Sequence, residues 1–548
     1  MQHMGAFIYE RFAPFLPAHA NSHHAVVIAG GGPIGLATAL GLAKLGVASV
    51  VVEADDSVCE GSRAICVSRR SLQILQRLGV LDAFLAKGLP WTSGRSYYRG
   101  QEVLRFDMPH VASDKLPPMV NIGQHHIEQY LLDEARRYPE LIDIRWASSV
   151  TSLKHTPTGC SLQISNALGA YTLDADWLVA ADGGQSFVRK SLGLKLEGQA
   201  FTGKFVIVDI GLNSDFPTER RAWFDCECNP GSTMLMHKQP DNIWRIDYQI
   251  PDGADLEAAI AEENVRPVVQ RHLAMLGEAH LAWTYIWSSA YRAGTMTLDR
   301  YVHGRVVFAG NAAHALPIFG VRGLNSGFDD ADNLAWKLAA VVQGQANAQL
   351  LSSYSDERVA AYHLNADQAG KSTEFMAPGS RGFALMREAA LSLSLKHKAI
   401  ANLVNPRQTS AVAYSDVYGL GDNFDDGMAV GAAPMDVPLL LGAADEQMAH
   451  PAPSTHLLDS LRTAFTLLVL GDLEDDELPA IRQHLPQLQV RSFSQANDSH
   501  CLLSKIWGWQ RAYLLRPDGH VLARYASLSA QRIAQDINTL LLGGNHAV

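Results

Sequence analysis

The run Ala25-Val26-Val27-Ile28-Ala29 leads directly into Gly30-Gly31-Gly32-Pro33-Ile34-Gly35, and no other stretch limits the fold so tightly. A short apolar run rich in β-branched side chains reads as a strand buried on both faces of a parallel sheet. Residues 34–45 follow with helical periodicity, and 48–52 form a second apolar run. The pattern predicts a βαβ unit of about 30 residues. Gly30, Gly32 and Gly35 satisfy G-x-G-x-x-G. The first glycine permits a tight turn, the second lets backbone approach a pyrophosphate, and the third allows close helix–strand packing. The helix start then turns unpaired N–H groups toward the phosphates. Glu53 closes the second run, where a carboxylate can accept hydrogen bonds from a ribose diol. A dinucleotide site is expected, and this unit alone does not separate FAD from NAD.

With 548 residues, two or three domains are the natural expectation. Hydrophobic residues at 47% against 18% charged describe a packed chain, and the net charge of -11 disfavours nucleic acid as a partner. Cys59, Cys66, Cys160, Cys226, Cys228 and Cys501 show no zinc spacing, so reduced thiols and no metal site are expected. Glu10 and Arg11 interrupt the start of the chain, which argues against a secretory signal. No stretch of about 18 uninterrupted apolar residues suggests a membrane span. A soluble, cytoplasmic protein is expected.

Residues 1–24 read as an N-terminal extension. The middle is mixed, with strand-like runs at 205–210 and 243–250 and a helical stretch at 256–276, and a long helix starts near Asn325. After about residue 440 the pattern changes to strand 464–470, helix 477–484 and strand 488–493. A hairpin follows at 511–525, turning at Pro517-Asp518-Gly519, and then helix 530–542. This βαβ-then-ββα order predicts a thioredoxin-like domain over 441–548. It lacks Cys-x-x-C, and its one cysteine, Cys501, cannot run dithiol chemistry alone.

Two later segments separate FAD from NAD. One is Asp182-Gly183-Gly184-Gln185-Ser186-Phe187-Val188-Arg189, after an apolar run. The other is Gly310-Asn311-Ala312-Ala313-His314, continuing through Pro317, Gly320 and Gly323-Leu324-Asn325-Ser326-Gly327. In this order and spacing the three segments resemble the single-component flavoprotein aromatic hydroxylases, the para-hydroxybenzoate and phenol hydroxylase family. The similarity covers roughly residues 25–440 and is strongest to the phenol hydroxylase and 3-(3-hydroxyphenyl)propionate hydroxylase branch. It implies an α/β fold, with a Rossmann-like FAD-binding domain interleaved with a β-sheet substrate domain at about 200–295. The thioredoxin-like C-terminal domain is similar to the redox-inactive one of that branch.

By the same resemblance, Gly30, Gly32 and Gly35 hold the FAD pyrophosphate and Glu53 the adenosine ribose. Arg63 reaches the phosphate region and Gln124 contacts the cofactor. Asp182 and Arg189 connect FAD to the nicotinamide-binding surface. Pro317, Gly320, Gly323, Leu324 and Asn325 wrap the isoalloxazine, the amides of the last two near its pyrimidine edge. NADH or NADPH and O2 are the implied co-substrates, a flavin C4a-hydroperoxide the implied oxidant, and a small phenolic ring the implied substrate; a homodimer is compatible with the resemblance. Three positions depart from the family pattern. Asn311 replaces an aspartate that accepts from ribityl hydroxyls, Ile318 a second proline, and Arg322 a glutamine or lysine.

Along 243–250, Trp244, Ile246, Tyr248 and Ile250 share one face, with Arg245 and Asp247 on the other. His237, Arg245, Asp247, Tyr248 and Tyr291 are candidates for binding a phenol or carboxylate, and none is assigned as catalytic base. His314 and Trp507-Gly508-Trp509 read as packing residues. Two other readings stay open: a flavin monooxygenase acting on a polyketide or quinone, and a flavin-binding protein without turnover.

Overall fold

A computed structural model of the chain describes residues 7–17, 21–402, 405, 408–415, 418–440, 456–471, 473, 477–498 and 501–543. The expected boundary after residue 440, and parts of the expected N-terminal extension, therefore lie outside the described residues.

The glycine-rich unit folds as the sequence predicts. Strand Asn21–Ala29, helix Pro33–Lys44 and strand Ser49–Val52 form the βαβ unit, with Pro33 at the first helical position, where its missing N–H costs nothing. Strand Asn21–Ala29 lies between Ser49–Val52 and Gly169–Ala180, parallel to both. Ile142–Arg145 and Val306–Phe308 extend the parallel order on either side. Val26, Val27 and Ile28 are fully buried, each contributing about 1.5–3 kcal/mol of apolar burial. The sheet therefore holds the glycine turn, the Asp182 loop and the Gly310 loop side by side at one edge, because each follows the C-terminal end of a parallel strand.

A second eight-stranded sheet stands across from that edge. Its order is His314–Ala315, Trp283–Thr297, Glu197–Leu212, Ile243–Ile250, Asn229–Lys238, Arg220–Cys226, Ser93–Tyr98 and Gln101–Asp107. It reaches beyond 200–295 by taking in the hairpin at 93–107. The stretch 256–276 is not one helix. Leu256–Ile260 and Glu262–Met275 are separated by Ala261 in extended conformation (ψ 136°). The Ala258 carbonyl accepts from the Ala261 amide and from Asn264 Nδ2, and the Ile260 carbonyl accepts from Ser288 Oγ of the sheet. A tertiary hydrogen bond from Ser288 thus caps the first piece where periodicity implied a continuous helix.

The C-terminal sheet has the order Gln489–Phe493, Thr466–Leu470, Arg511–Leu515, Val521–Tyr525, with the first pair parallel and the others antiparallel. Met428, Val437 and Leu439 share a buried cluster with Leu468, Leu503 and Trp507 of this unit. Among the described residues no helix is long and apolar enough to cross a membrane. No cluster of three or more His, Cys, Asp or Glu among them is placed to hold a metal ion.

Candidate FAD and substrate cavity

One cavity of about 900 Å³ runs from the glycine turn to the second sheet, near the upper end of the ~300–1,000 Å³ common for ligand sites. Gly30, Gly32, Glu53, Arg63, Gln124, Asp182, Asn311, Pro317, Gly323 and Leu324 all line it. Gly30 has φ +102° and sits with the place of a Cβ only 2.4 Å from the Ala181 carbonyl oxygen, so a side chain is excluded there. A Cβ on Gly35 would fall 1.9 Å from the Gly30 carbonyl oxygen. Gly35 is away from the cavity wall and brings helix and strand together. At Gly32, Gly184 and Gly323 a Cβ would meet nothing within 4 Å. For Gly32 and Gly323 in particular, the missing side chains leave room for a bulky anionic group to lie against backbone.

Glu53 is held at the mouth of the glycine turn. Its Oε2 accepts from the Gly31 amide at 2.5 Å and its Oε1 from the Asp55 amide at 2.8 Å. Burial raises its pKa above the ordinary glutamate value despite those amides. Gln124 starts the helix Gln124–Ala135; its side chain accepts from the Ala64 amide and donates to Glu128 at 2.9 Å. Asp182 Oδ2 accepts from the Val188 amide, while Oδ1 is buried with no protein partner. Arg189 donates to the Gly184 carbonyl at 2.6 Å and to the Ala312 carbonyl at 2.9 Å. It thereby ties the second motif to the third.

The third motif is braced from beneath by Asp330. This buried carboxylate accepts from the Gly310 amide (2.9 Å), from His314 Nε2 (2.7 Å) and from Arg358 Nε (2.7 Å). Burial pushes its pKa up, but His314 and Arg358 outweigh that and hold it below the usual range. His314 is thus a packing residue. Beyond it, helix Gly323–Val342 starts at the cavity, and the amides of its first turn lack intrahelical partners. Asn325 faces elsewhere. Its side chain accepts from the Ser68 amide (2.9 Å) and Ser71 Oγ (2.7 Å), and it donates to the Cys66 and Val321 carbonyls. Gly320, in left-handed conformation at φ +89°, is also off the wall.

At the sheet end the wall carries Ile207, Arg220, Leu235, His237, Arg245 and Asp247. Arg245 is committed to a structural task. It grips Asp209 through Nε and Nη2, both at 2.8 Å, and donates to the Ser62 carbonyl and, at 2.8 Å, to the Arg63 carbonyl. It therefore anchors the Arg63 loop to the sheet and leaves little capacity for a ligand. Tyr248 corrects the sequence expectation: strand alternation puts it on the opposite face, among Trp244, Ile246 and Val269. Tyr291 lies behind the wall, its ring stacked on Phe205 at 5.4 Å.

Burial pushes the Asp247 carboxyl up to about 7 against the pull of Arg245. Burial, with Arg220 and Arg245 adding to it, holds the His237 imidazole well below its usual value. The Arg220 guanidinium donates to Gln408 at 2.8 Å. His237 Nδ1, Asp247 Oδ1 and Tyr291 OH are buried without a protein partner. Sequence reading missed Arg220, whose only trace is the Arg220-Arg221 pair opening a strand; alternation sends the first inward.

The "FAD binding domain" family matches residues 23–369, more than half of the chain. The 3-(3-hydroxy-phenyl)propionate/3-hydroxycinnamic acid hydroxylase of Burkholderia cenocepacia (strain HI2424) is 30% identical over 381 residues, covering 69% of this chain and 68% of that protein. The crystal structure of the flavin-dependent monooxygenase PieE in complex with FAD and substrate superposes with a TM-score of 0.78 at 23% identity, covering 95% of this chain and 99% of that one. A ternary complex of aklavinone-11 hydroxylase with FAD and aklavinone gives a TM-score of 0.74 at 22% identity, covering 95% and 99%. The open glycine cradle, the orphaned Asp182 oxygen and the helix start fit the cofactor that the family is named for, and the chain belongs to this family of FAD-binding proteins.

Proposed function

We propose that the chain is an FAD-dependent monooxygenase that uses NAD(P)H and O2 to hydroxylate a phenolic aromatic ring. The observation that carries this reading is the continuity of the cavity: the three FAD segments and the inward face of the second sheet line one space. FAD, when bound, supplies the electron transfer and oxygen activation. The glycine turn and Arg63 bind its pyrophosphate, Glu53 its ribose, and Gln124, Asp182 and Asn311 the linking chain. Pro317, Gly323 and Leu324 shape the flavin end, and the start of helix Gly323–Val342 favours negative charge there.

The ring lies against Ile207 and Leu235. Arg220 faces its anionic substituent, as the hydroxylated phenylpropionate named for the Burkholderia relative would present. Asp247 exchanges a proton near neutrality beside a neutral His237, so the pair is suited to take the phenolic proton. Tyr291 supports the pair from behind.

The C-terminal unit is read as thioredoxin-like over about 441–548. Strand order and direction support this, as does the helix Glu477–His484 between the two parallel strands. The test of function is a panel of phenols, phenolic acids and polycyclic quinones added to the FAD-loaded protein. Acceleration of NAD(P)H consumption with a hydroxylated phenolic product supports the proposal. Acceleration by polycyclic compounds alone moves the reading to a secondary-metabolite enzyme, and retention of FAD with no acceleration by any compound removes it.

A further inference from the structure

The hairpin turn of the C-terminal sheet lies far along the chain from the cavity, yet a buried polar chain joins them. Arg516 makes a paired contact with Glu357, at 2.7 and 3.0 Å, and grips Asp518 with Nε at 3.1 Å. Glu357 also accepts from Lys337 Nζ (2.9 Å) and Asn333 Nδ2 (2.6 Å), both on the long helix that starts at the cavity. Asp518 accepts from Trp336 Nε1 of that helix at 3.1 Å, and its carbonyl accepts from Arg70. Arg516, Asp518, Lys337 and Arg70 are buried, and the Glu357 side chain keeps only 9% of its surface exposed.

From this knot one branch leads to the cofactor loop. The His520 ring stacks on Tyr414 at 4.3 Å, and the Arg516 guanidinium lies 5.2 Å from the same ring. The Tyr414 hydroxyl accepts from Arg358 Nη1 at 3.3 Å. Arg358 in turn donates to Asp330 and to the Ser326 carbonyl, and Asp330 holds the Gly310 amide and His314. Gly310 and Asn311 are cavity wall. Every link is a direct contact between buried groups. A buried guanidinium that loses a partner has no water to replace it, so each link constrains the next.

We infer that Tyr414 is a positioning residue for the FAD site, through which the C-terminal hairpin turn sets the conformation of the Gly310–Ala312 loop via Arg358 and Asp330. The C-terminal unit is on this account a working part of the cofactor cavity, although none of its described residues lines the wall. The inference rests on the assignment of the cavity to FAD, which titration of the unaltered protein tests separately.

The experiment compares two full-length variants. Tyr414→Leu removes both the stack on His520 and the hydroxyl, while Leu503→Ala opens a hole in the core of the C-terminal unit away from the chain of contacts. FAD affinity is read by flavin fluorescence, the flavin environment by visible circular dichroism, and folding by thermal melting. Tyr414→Leu is expected to weaken FAD about tenfold and to change the bound-flavin spectrum. Leu503→Ala lowers the melting temperature while leaving both flavin readouts in place. Tyr414→Phe, which keeps the stack, recovers part of the loss. The inference is overturned if folded Tyr414→Leu binds FAD as the unaltered protein does, or if Leu503→Ala weakens FAD as much. Failure of the unaltered protein to bind FAD would instead remove the cofactor assignment.

Discussion

The nucleotide end of the cavity is built around glycine turns that leave backbone open, and the sheet end around buried side chains that can carry charge. At the first, Gly30, Gly32 and Gly323 are defined by what they lack, so amides and open space share the task of binding with Glu53, Arg63 and Asp182. At the second, Arg220, His237 and Asp247 come from three different strands, and burial shifts the pKa of each. A backbone wall tolerates almost no substitution but needs no tuning. A wall of buried ionisable groups tolerates substitution of shape and depends on the balance among neighbours.

The largest expected effect separates two glycines of one motif. Gly35→Ala drives a Cβ into the Gly30 carbonyl, so soluble folded protein is lost. Gly32→Ala meets nothing in the protein; its melting temperature without FAD stays unchanged while FAD affinity falls about 100-fold. Equal loss of fold in both variants would break the distinction between a packing glycine and a binding one. Next is Arg245→Met at the junction of the two ends. It leaves Asp209 buried without its partner and frees the Arg63 loop, at about 3–5 kcal/mol in urea unfolding. A loss below about 1 kcal/mol would show that the Arg63 loop holds its place without the sheet.

The third concerns pH at the sheet end. Asp247 titrates near 7 when folded and near 3.8 in its ordinary state, so the folded protein binds the extra proton between those values. The contribution of Asp247 to stability therefore falls as pH rises from about 4 to about 7 and levels off above it. Asp247→Asn removes that component, and the difference between the two stability–pH curves isolates it. A parallel pair of curves would mean that Asp247 is ionised throughout. The smallest effect belongs to Asn311→Asp. Restoring the charged acceptor at an exposed site should tighten FAD by about 1 kcal/mol, roughly fivefold; weaker binding would place Asn311 away from the ribityl chain.

The same contrast explains what the sequence made legible. Gly30 to Glu53 is a local unit whose fold follows from contacts within about 30 residues, so its strand, turn and helix could be read directly. The hairpin turn at Pro517-Asp518-Gly519 was legible for the same reason. The break at Ala261 was not, because it depends on Ser288 from a strand formed later in the chain. Strand alternation separated Asp247 from Tyr248 but could not say which face met the cavity, since both faces are buried. Arg245 looked like a ligand contact, and only its partners Asp209, Ser62 and Arg63 show its structural task. Arg220 was invisible because its meaning comes from Gln408, His237 and Asp247, none of them near it in sequence.

The most direct test of one cavity serving both ends is turnover under isotopically labelled O2 with a phenolic substrate. The FAD-loaded protein is predicted to give a hydroxylated ring carrying one labelled oxygen atom, and Asp247→Asn to retain FAD while losing most of that product. NAD(P)H oxidation yielding only hydrogen peroxide with every phenol, from a protein that binds FAD normally, would contradict the account.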